Sequence, residues 1–299
     1  MIYDLNVPWT SLTTLSSLER TIIFLSDLGY QTLAISYTQS DQNLPTKLSN
    51  PLPKKNLLIF SPKVNILHRC TFIFSDPNKN HRLPSISPLY DILAIRPTNE
   101  KSFLAACLTI TEHSIVSLDL TIRYPFYFKP KPLMTAVNRG IKIEICYSQC
   151  INADTIGRRN FISNALSIIR CTKGRGLVVS SEAANVLACR GVQDIVNLLG
   201  VWGLNRERAV EGLEKNPRSV VVNEGMKRTG FRGVIDIVEN GSCSTPDCDI
   251  TETITKGKRP LDPDNVNSNP SISSKVTKKA RVKQPENHVN LNEKGVANN

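Results

Sequence analysis

The chain has 299 residues and a mass of 33.2 kDa, with 40% apolar and 6% aromatic residues, enough for a substantial core and too much for a wholly disordered protein. No apolar run approaches the roughly 20 residues of a membrane-spanning helix, and the N-terminus lacks the charged-then-apolar run of a secretory signal, so a soluble chain with no membrane partner is expected. The net charge of +11 makes a polyanion a candidate partner, and eight cysteines without a Cys-x-x-Cys pair read as reduced thiols, not as a zinc site or a disulfide framework.

A first strand is expected at IYDLNV (2–7), where apolar and polar residues alternate and Asp4 and Asn6 precede Pro8. A helix over 11–28 follows, then a strand at TLAISY (32–37). The Pro- and Asn-rich stretch 38–64 gains no role from its sequence. Further strands fall at LHRCTFIF (67–74), DILAIR (91–96), SIVSLDL (114–120), IKIEICY (141–147) and GLVVS (176–180), with helices over 100–107, 131–139 and 155–170 between them. Three more helices are expected over 181–189, 191–199 and 205–215, the last opened by Asn205 as N-cap and stopped by Pro217.

Alternation of strands with amphipathic helices argues for βα units around a parallel sheet. No Gly-x-Gly-x-x-Gly turn follows the first strand, so a closed or nearly closed TIM-like α/β barrel of about seven strands fits better than a dinucleotide-binding sheet. The body is expected over 1–235. Residues 240–299, rich in Asn, Ser, Pro, Lys and Asp and without apolar periodicity, read as a disordered polar tail. Two acid-free basic clusters there, at Lys256, Lys258 and Arg259 and at Lys278, Lys279, Arg281 and Lys283, fit nuclear import signals.

The charge excess sits in the body. Residues 121–175 hold ten Lys or Arg against two acids, Glu144 and Asp154. The helix over 155–170 turns Phe161, Ile162, Ala165, Leu166, Ile168 and Ile169 to one face, and in a barrel its start lies where strands end. Arg158 and Arg159 then belong to the upper rim with Arg96 and Arg123, whereas Arg139, Lys142, Arg170, Lys173 and Arg175 gather at the lower face. Catalytic residues of such barrels lie at the top, so a basic lower face suggests binding. These seven residues, Arg139, Lys142, Arg158, Arg159, Arg170, Lys173 and Arg175, are the candidate contacts to a polyanion, by neutralising its phosphates. The sequence does not separate contacts to a nucleic acid from contacts to an acidic protein.

In order along the chain, YDLNVPW, GYQTLAISY, YDILAIRPTNEKSF, SIVSLDL, AVNRGIKIEICYS, RRNFISNALSIIR and KGRGLVVSSEAANV resemble the thirty-kilodalton protein subunit family of nuclear ribonuclease P and RNase MRP, over roughly residues 1–220. The resemblance implies a metal-free barrel related to that of the polymerase-and-histidinol-phosphatase phosphoesterases. It implies a chain that is not catalytic itself and assembles with ribonuclease P RNA or RNase MRP RNA, a small ferredoxin-like protein subunit and other particle proteins. The RNA holds the Mg²⁺-dependent site that removes the 5′ leader of precursor tRNA, which this chain meets indirectly; RNase MRP processes ribosomal RNA precursors. No cofactor is expected on this chain, and its place would be the nucleus and nucleolus. The related phosphoesterases open with Asp-Leu-His-x-His, whose histidines hold metal. Here Asp4, Asn6 and Pro8 occupy that stretch, and proline has no ligand while an amide is a poor one beside imidazole. A phosphoesterase with a degenerate metal site is the alternative.

Overall fold

A computed structural model describes residues 1–10, 12–42, 49–53, 64–77 and 82–229. The import clusters, the tail from 240 and most of the stretch 38–64 lie outside the described residues.

Seven parallel strands lie side by side in chain order: β1 (Tyr3–Trp9), β2 (Thr32–Ser40), β3 (Asn65–Phe74), β4 (Ile92–Pro97), β5 (Ile115–Ser117), β6 (Lys142–Cys146) and β7 (Leu177–Ser180). The helices are α1 (Leu15–Asp27), α2 (Leu83–Ile86), α3 (Glu100–Leu108), α4 (Pro130–Asn138), α5 (Tyr147–Asn152), α6 (Thr155–Thr172), α7 (Val192–Val201), α8 (Arg206–Leu213) and α9 (Lys215–Thr229). The sheet curls until β7 faces β1, giving the expected seven-stranded barrel. Across the seam, the Ser181 amide donates to Asp4 Oδ1 at 3.0 Å and the Glu182 amide to the Asn6 carbonyl at 2.8 Å.

Local chemistry sets the helix starts. Thr14 accepts from the Ser17 amide, Asp154 Oδ1 from the Gly157 amide at 2.7 Å, and Asn99 with Ser102 forms a capping box that opens α3. The apolar faces of these helices bury against the outside of the sheet. Inside the barrel, Tyr3, Leu5, Ala34, Ile92, Ala94, Ile115 and Val178 form a second apolar layer, closed from below by Val220 of α9.

Four expectations need correction. The helix over 181–189 is a loop with one 3-10 turn at Val186–Ala188, because its first residues are spent bonding to β1 across the seam. Pro217 does not end a helix. It falls in the first turn of α9, where a missing N–H costs nothing, and α9 continues to Thr229. β5 stops at Ser117 instead of 120, since the Gln149 side chain replaces the ladder by bonding the Leu120 amide at 3.0 Å and the Leu118 carbonyl at 3.3 Å. β6 stops at Cys146, and Tyr147 already opens α5. Asn205 does stand at the N-cap of α8, although its side chain makes no capping bond.

Candidate nucleic-acid interface and the barrel interior

Above the inner apolar layer the barrel turns polar. Arg69 of β3 and Glu144 of β6, both fully buried, face each other across the lumen and pair through two parallel bonds, Nη1 to Oε1 at 2.5 Å and Nη2 to Oε2 at 2.6 Å. Arg69 also donates to the Leu5 carbonyl at 2.7 Å and to Thr71 Oγ1 at 3.1 Å, so its planar fork ties β1, β3 and β6 together. Burial alone would push the Glu144 carboxyl up, but the guanidinium overrides it and holds the acid down to about 2. A second pair sits nearer the mouth: Arg96 donates to Glu182 Oε1 at 2.8 Å and to Ser117 at 3.0 Å, and Gln149 donates to Glu182 Oε2 at 2.6 Å. Glu182 takes a left-handed backbone (φ 52), which costs a non-glycine residue about 1–2 kcal/mol and is offset here by those bonds.

Asn6 belongs to this layer, whereas Asp4 lies at the β1–β7 seam beside Tyr30, Tyr147 and Cys189. Asp4 Oδ1 accepts from the amides of Asn6 and Ser181, while Oδ2 has no partner among the described residues; burial pushes the carboxyl up, and these bonds offset that only in part. Asn6 Nδ2 reaches Cys146 Sγ at 3.4 Å and Glu144 at 3.5 Å. Pro8 lies in register with Ser36 of β2 and brings no donor atom. This set does not suit a divalent metal. Glu144 and Glu182 are each engaged by an arginine, burial keeps the Cys146 thiol protonated, and the Arg69 cation already occupies the centre. Among the described residues no three His, Cys, Asp or Glu side chains gather as a metal site would need.

The seven basic candidates divide into two kinds. Arg139 is committed within the fold, its guanidinium donating to the Cys107 and Ile110 carbonyls at 2.8 and 2.6 Å and so capping the end of α3. Arg158, at the upper start of α6, reaches back to the Cys150, Ile151 and Ala153 carbonyls at 3.2–3.4 Å, yet stays exposed. Lys142 is half-buried at the foot of β6, where burial and then Lys215 lower its pKa. Arg170, Lys173 and Arg175, at the lower end of α6 and in the turn after it, are exposed and make no ion pair among the described residues; so is Arg159 at the upper end.

Sequence reasoning missed the lumen pairs. Their signal was a lone arginine in the apolar strand around Arg69 and a lone glutamate in the one around Glu144, two opposite charges at inward positions. In an apolar strand, each needs the other.

The model of the family described as RNase P subunit p30 matches residues 1–229. The chain is 36% identical to the probable ribonuclease P protein subunit 3 of Schizosaccharomyces pombe, covering 79% of this chain and 99% of that protein. It is 30% identical to the ribonuclease P/MRP protein subunit RPP1 of Saccharomyces cerevisiae, covering 88% and 96%, and 32% identical to the ribonuclease P protein subunit p30 of Mus musculus, covering 77% and 89%. Among solved structures, a chain of an archaeal ribonuclease P with mature tRNA shares the fold at a TM-score of 0.59 and 14% identity, over 80% of this chain and 99% of that one. With the family model spanning the whole described barrel and curated relatives matched over nearly their full length, this chain belongs to the RNase P subunit p30 family.

Proposed function

We propose that this chain is a non-catalytic protein subunit of the ribonuclease P and RNase MRP ribonucleoproteins. It binds the catalytic RNA and partner proteins for 5′-leader removal from precursor tRNA and for processing of ribosomal RNA precursors. The observation that carries this reading is the near full-length match to named ribonuclease P and MRP subunits. The lumen supports the non-catalytic part: where a barrel hydrolase would gather metal ligands, this one has an arginine locked to a glutamate. Mg²⁺ then belongs to the partner RNA. The ferredoxin-like subunit as neighbour and the nucleus and nucleolus as location are parts of the same proposal, the location resting on the basic clusters Lys256, Lys258, Arg259 and Lys278, Lys279, Arg281, Lys283.

Arg170, Lys173 and Arg175 are the best placed of the lower-face residues to meet phosphate, because they are exposed and make no ion pair among the described residues. Replacing the three by Glu should cut the RNA recovered with the tagged chain while its circular dichroism stays that of the folded barrel. Undiminished RNA in that folded variant would remove the patch from the interface.

A further inference from the structure

A groove of about 520 Å³ runs along the upper part of α6, walled on the other side by the segment from Arg123 to Phe128. That segment is built as a rigid rail. Tyr124 and Phe128 are buried and Phe126 half-buried, and they stack on one another and on Phe103 of α3 with ring centroids 5.2–5.6 Å apart. Two amides of α6 hold the residues that lead into it: Asn160 Nδ2 donates to the Thr121 carbonyl at 3.0 Å, and Asn164 Nδ2 to the Leu120 and Ile122 carbonyls, both at 2.9 Å. The alternate residues are thereby turned out, and Tyr127 is left 91% exposed.

A large aromatic ring held in water on an ordered backbone gains nothing for the fold. Its neighbours in the groove are two exposed arginines, Arg123 and Arg159, with no acidic residue in the lining and no ion pair to either among the described residues. Ser163 and Ser167 add hydroxyls that make no hydrogen bond among the described residues. Cations beside an unstacked aromatic face and neutral polar groups match unpaired nucleotides, whose phosphates seek the arginines and whose bases stack on rings. A helical duplex would present phosphate to the arginines but no free base face to Tyr127.

We propose that this groove is a binding site for unpaired RNA, with one base stacked on Tyr127 and the flanking phosphates held by Arg123 and Arg159. The proposal rests on the subunit reading above and adds to it a second, upper site, one that recognises single-stranded RNA.

The test uses the full chain titrated with a short labelled oligouridylate and with the matching RNA duplex. Tighter binding of the single strand is expected. Tyr127→Ala should weaken it roughly 5- to 150-fold, the span one base-on-aromatic stack supplies, with Tyr127→Phe close to wild type. Arg123→Ala with Arg159→Ala should lower the slope of log affinity against log salt by about 1.4, or about 0.7 for each phosphate no longer neutralised. Equal binding by Tyr127→Ala, or preference for the duplex, would overturn the proposal. In the isolated particle, a photoreactive benzophenone amino acid at position 127 should crosslink to RNA. Particle RNA is scored separately: RNA present but crosslinks only to protein overturns the groove assignment alone, and a particle without RNA overturns the subunit reading beneath it.

Discussion

Removing Arg69 should unfold the barrel more readily than removing any exposed arginine, and by an amount the structure sets. Arg69→Met keeps much of the side-chain volume but leaves the Glu144 carboxylate fully buried without its counter-charge. Breaking such a pair from one side costs about 3–5 kcal/mol. The proton linkage gives a similar figure: a carboxyl held at about 2 against its ordinary 4.5 contributes on the order of 3 kcal/mol at neutral pH. With a urea dependence of about 2 kcal/mol per molar, the unfolding midpoint should fall by about 2 M. The pH dependence should also invert. In the wild type the depressed Glu144 contributes stability that is present above its unfolded value and lost as pH falls toward about 2. In Arg69→Met the unpaired carboxyl is raised by burial, so its penalty is present at neutral pH and is lost as pH falls from that raised value toward 4.5, and the variant gains stability relative to the wild type on going from pH 7.5 to pH 5. Arg69→Met with Glu144→Leu should recover most of the loss, since an apolar pair of similar volume is often as stable as a buried ion pair. Urea titrations followed by circular dichroism at pH 5 and pH 7.5 read all three. A loss under about 1 kcal/mol in the single variant would refute the reasoning, because it would mean that the ion pair does not hold the lumen.

Three further outcomes follow from neighbouring groups. Burial, with Arg139 and Lys227 adding to it, drives the His113 pKa down to about 3; the stability linked to it is complete above 6.5 and drains away as pH falls toward 3. His113→Leu should flatten the stability curve between about pH 6 and 4, by up to about 1.4 kcal/mol per pH unit, and an unchanged slope in urea melts would contradict the buried neutral ring. Asp4 has the opposite sign, since burial raises its pKa and the fold loses stability as pH rises from 3.8 through the raised value. Asp4→Asn keeps an acceptor for the Asn6 and Ser181 amides without the charge, and at pH 7 should match or exceed the wild-type midpoint; Asp4→Ala, which strands both amides, should lose about 1–3 kcal/mol. Arg139→Ala should cost about 1.5–3 kcal/mol, because it frees two carbonyls at the end of α3, whereas Arg170→Ala should stay within about 0.5 kcal/mol; equal melting temperatures would deny Arg139 its capping role.

The strands are legible in the sequence because each is a short apolar run between helix-patterned segments, and all seven appear where those runs stand. Misassignments cluster where a long-range bond outweighs local preference. Residues 181 and 182 have helical company in sequence but bond to β1, and Leu118 to Leu120 look like strand but are claimed by one amide of α5. Pro217 misleads because a helix start and a helix stop use the same residue, and only the position of Leu213 and Lys215 distinguishes them. Among the charges, density along the chain marks the basic region. It does not separate Arg139, within reach of the α3 carbonyls, from Arg170, which makes no ion pair among the described residues, because that reach is set by how α3 and α4 pack. Arg123 and Tyr127 share a groove with Arg159 only once α6 lies against the aromatic rail.

If this barrel lends binding to an RNA-catalysed particle and no metal chemistry of its own, the RNA must travel with it and carry the activity. The most direct measurement isolates the tagged chain from its own cells under mild salt, sequences the RNA that accompanies it, and assays the eluate on precursor tRNA with and without nuclease pretreatment. One or two abundant structured RNAs, with 5′-leader cleavage abolished by nuclease, is the predicted result. Cleavage that survives nuclease in an eluate without specific RNA would contradict it and return the chemistry to the lumen between Arg69 and Glu144.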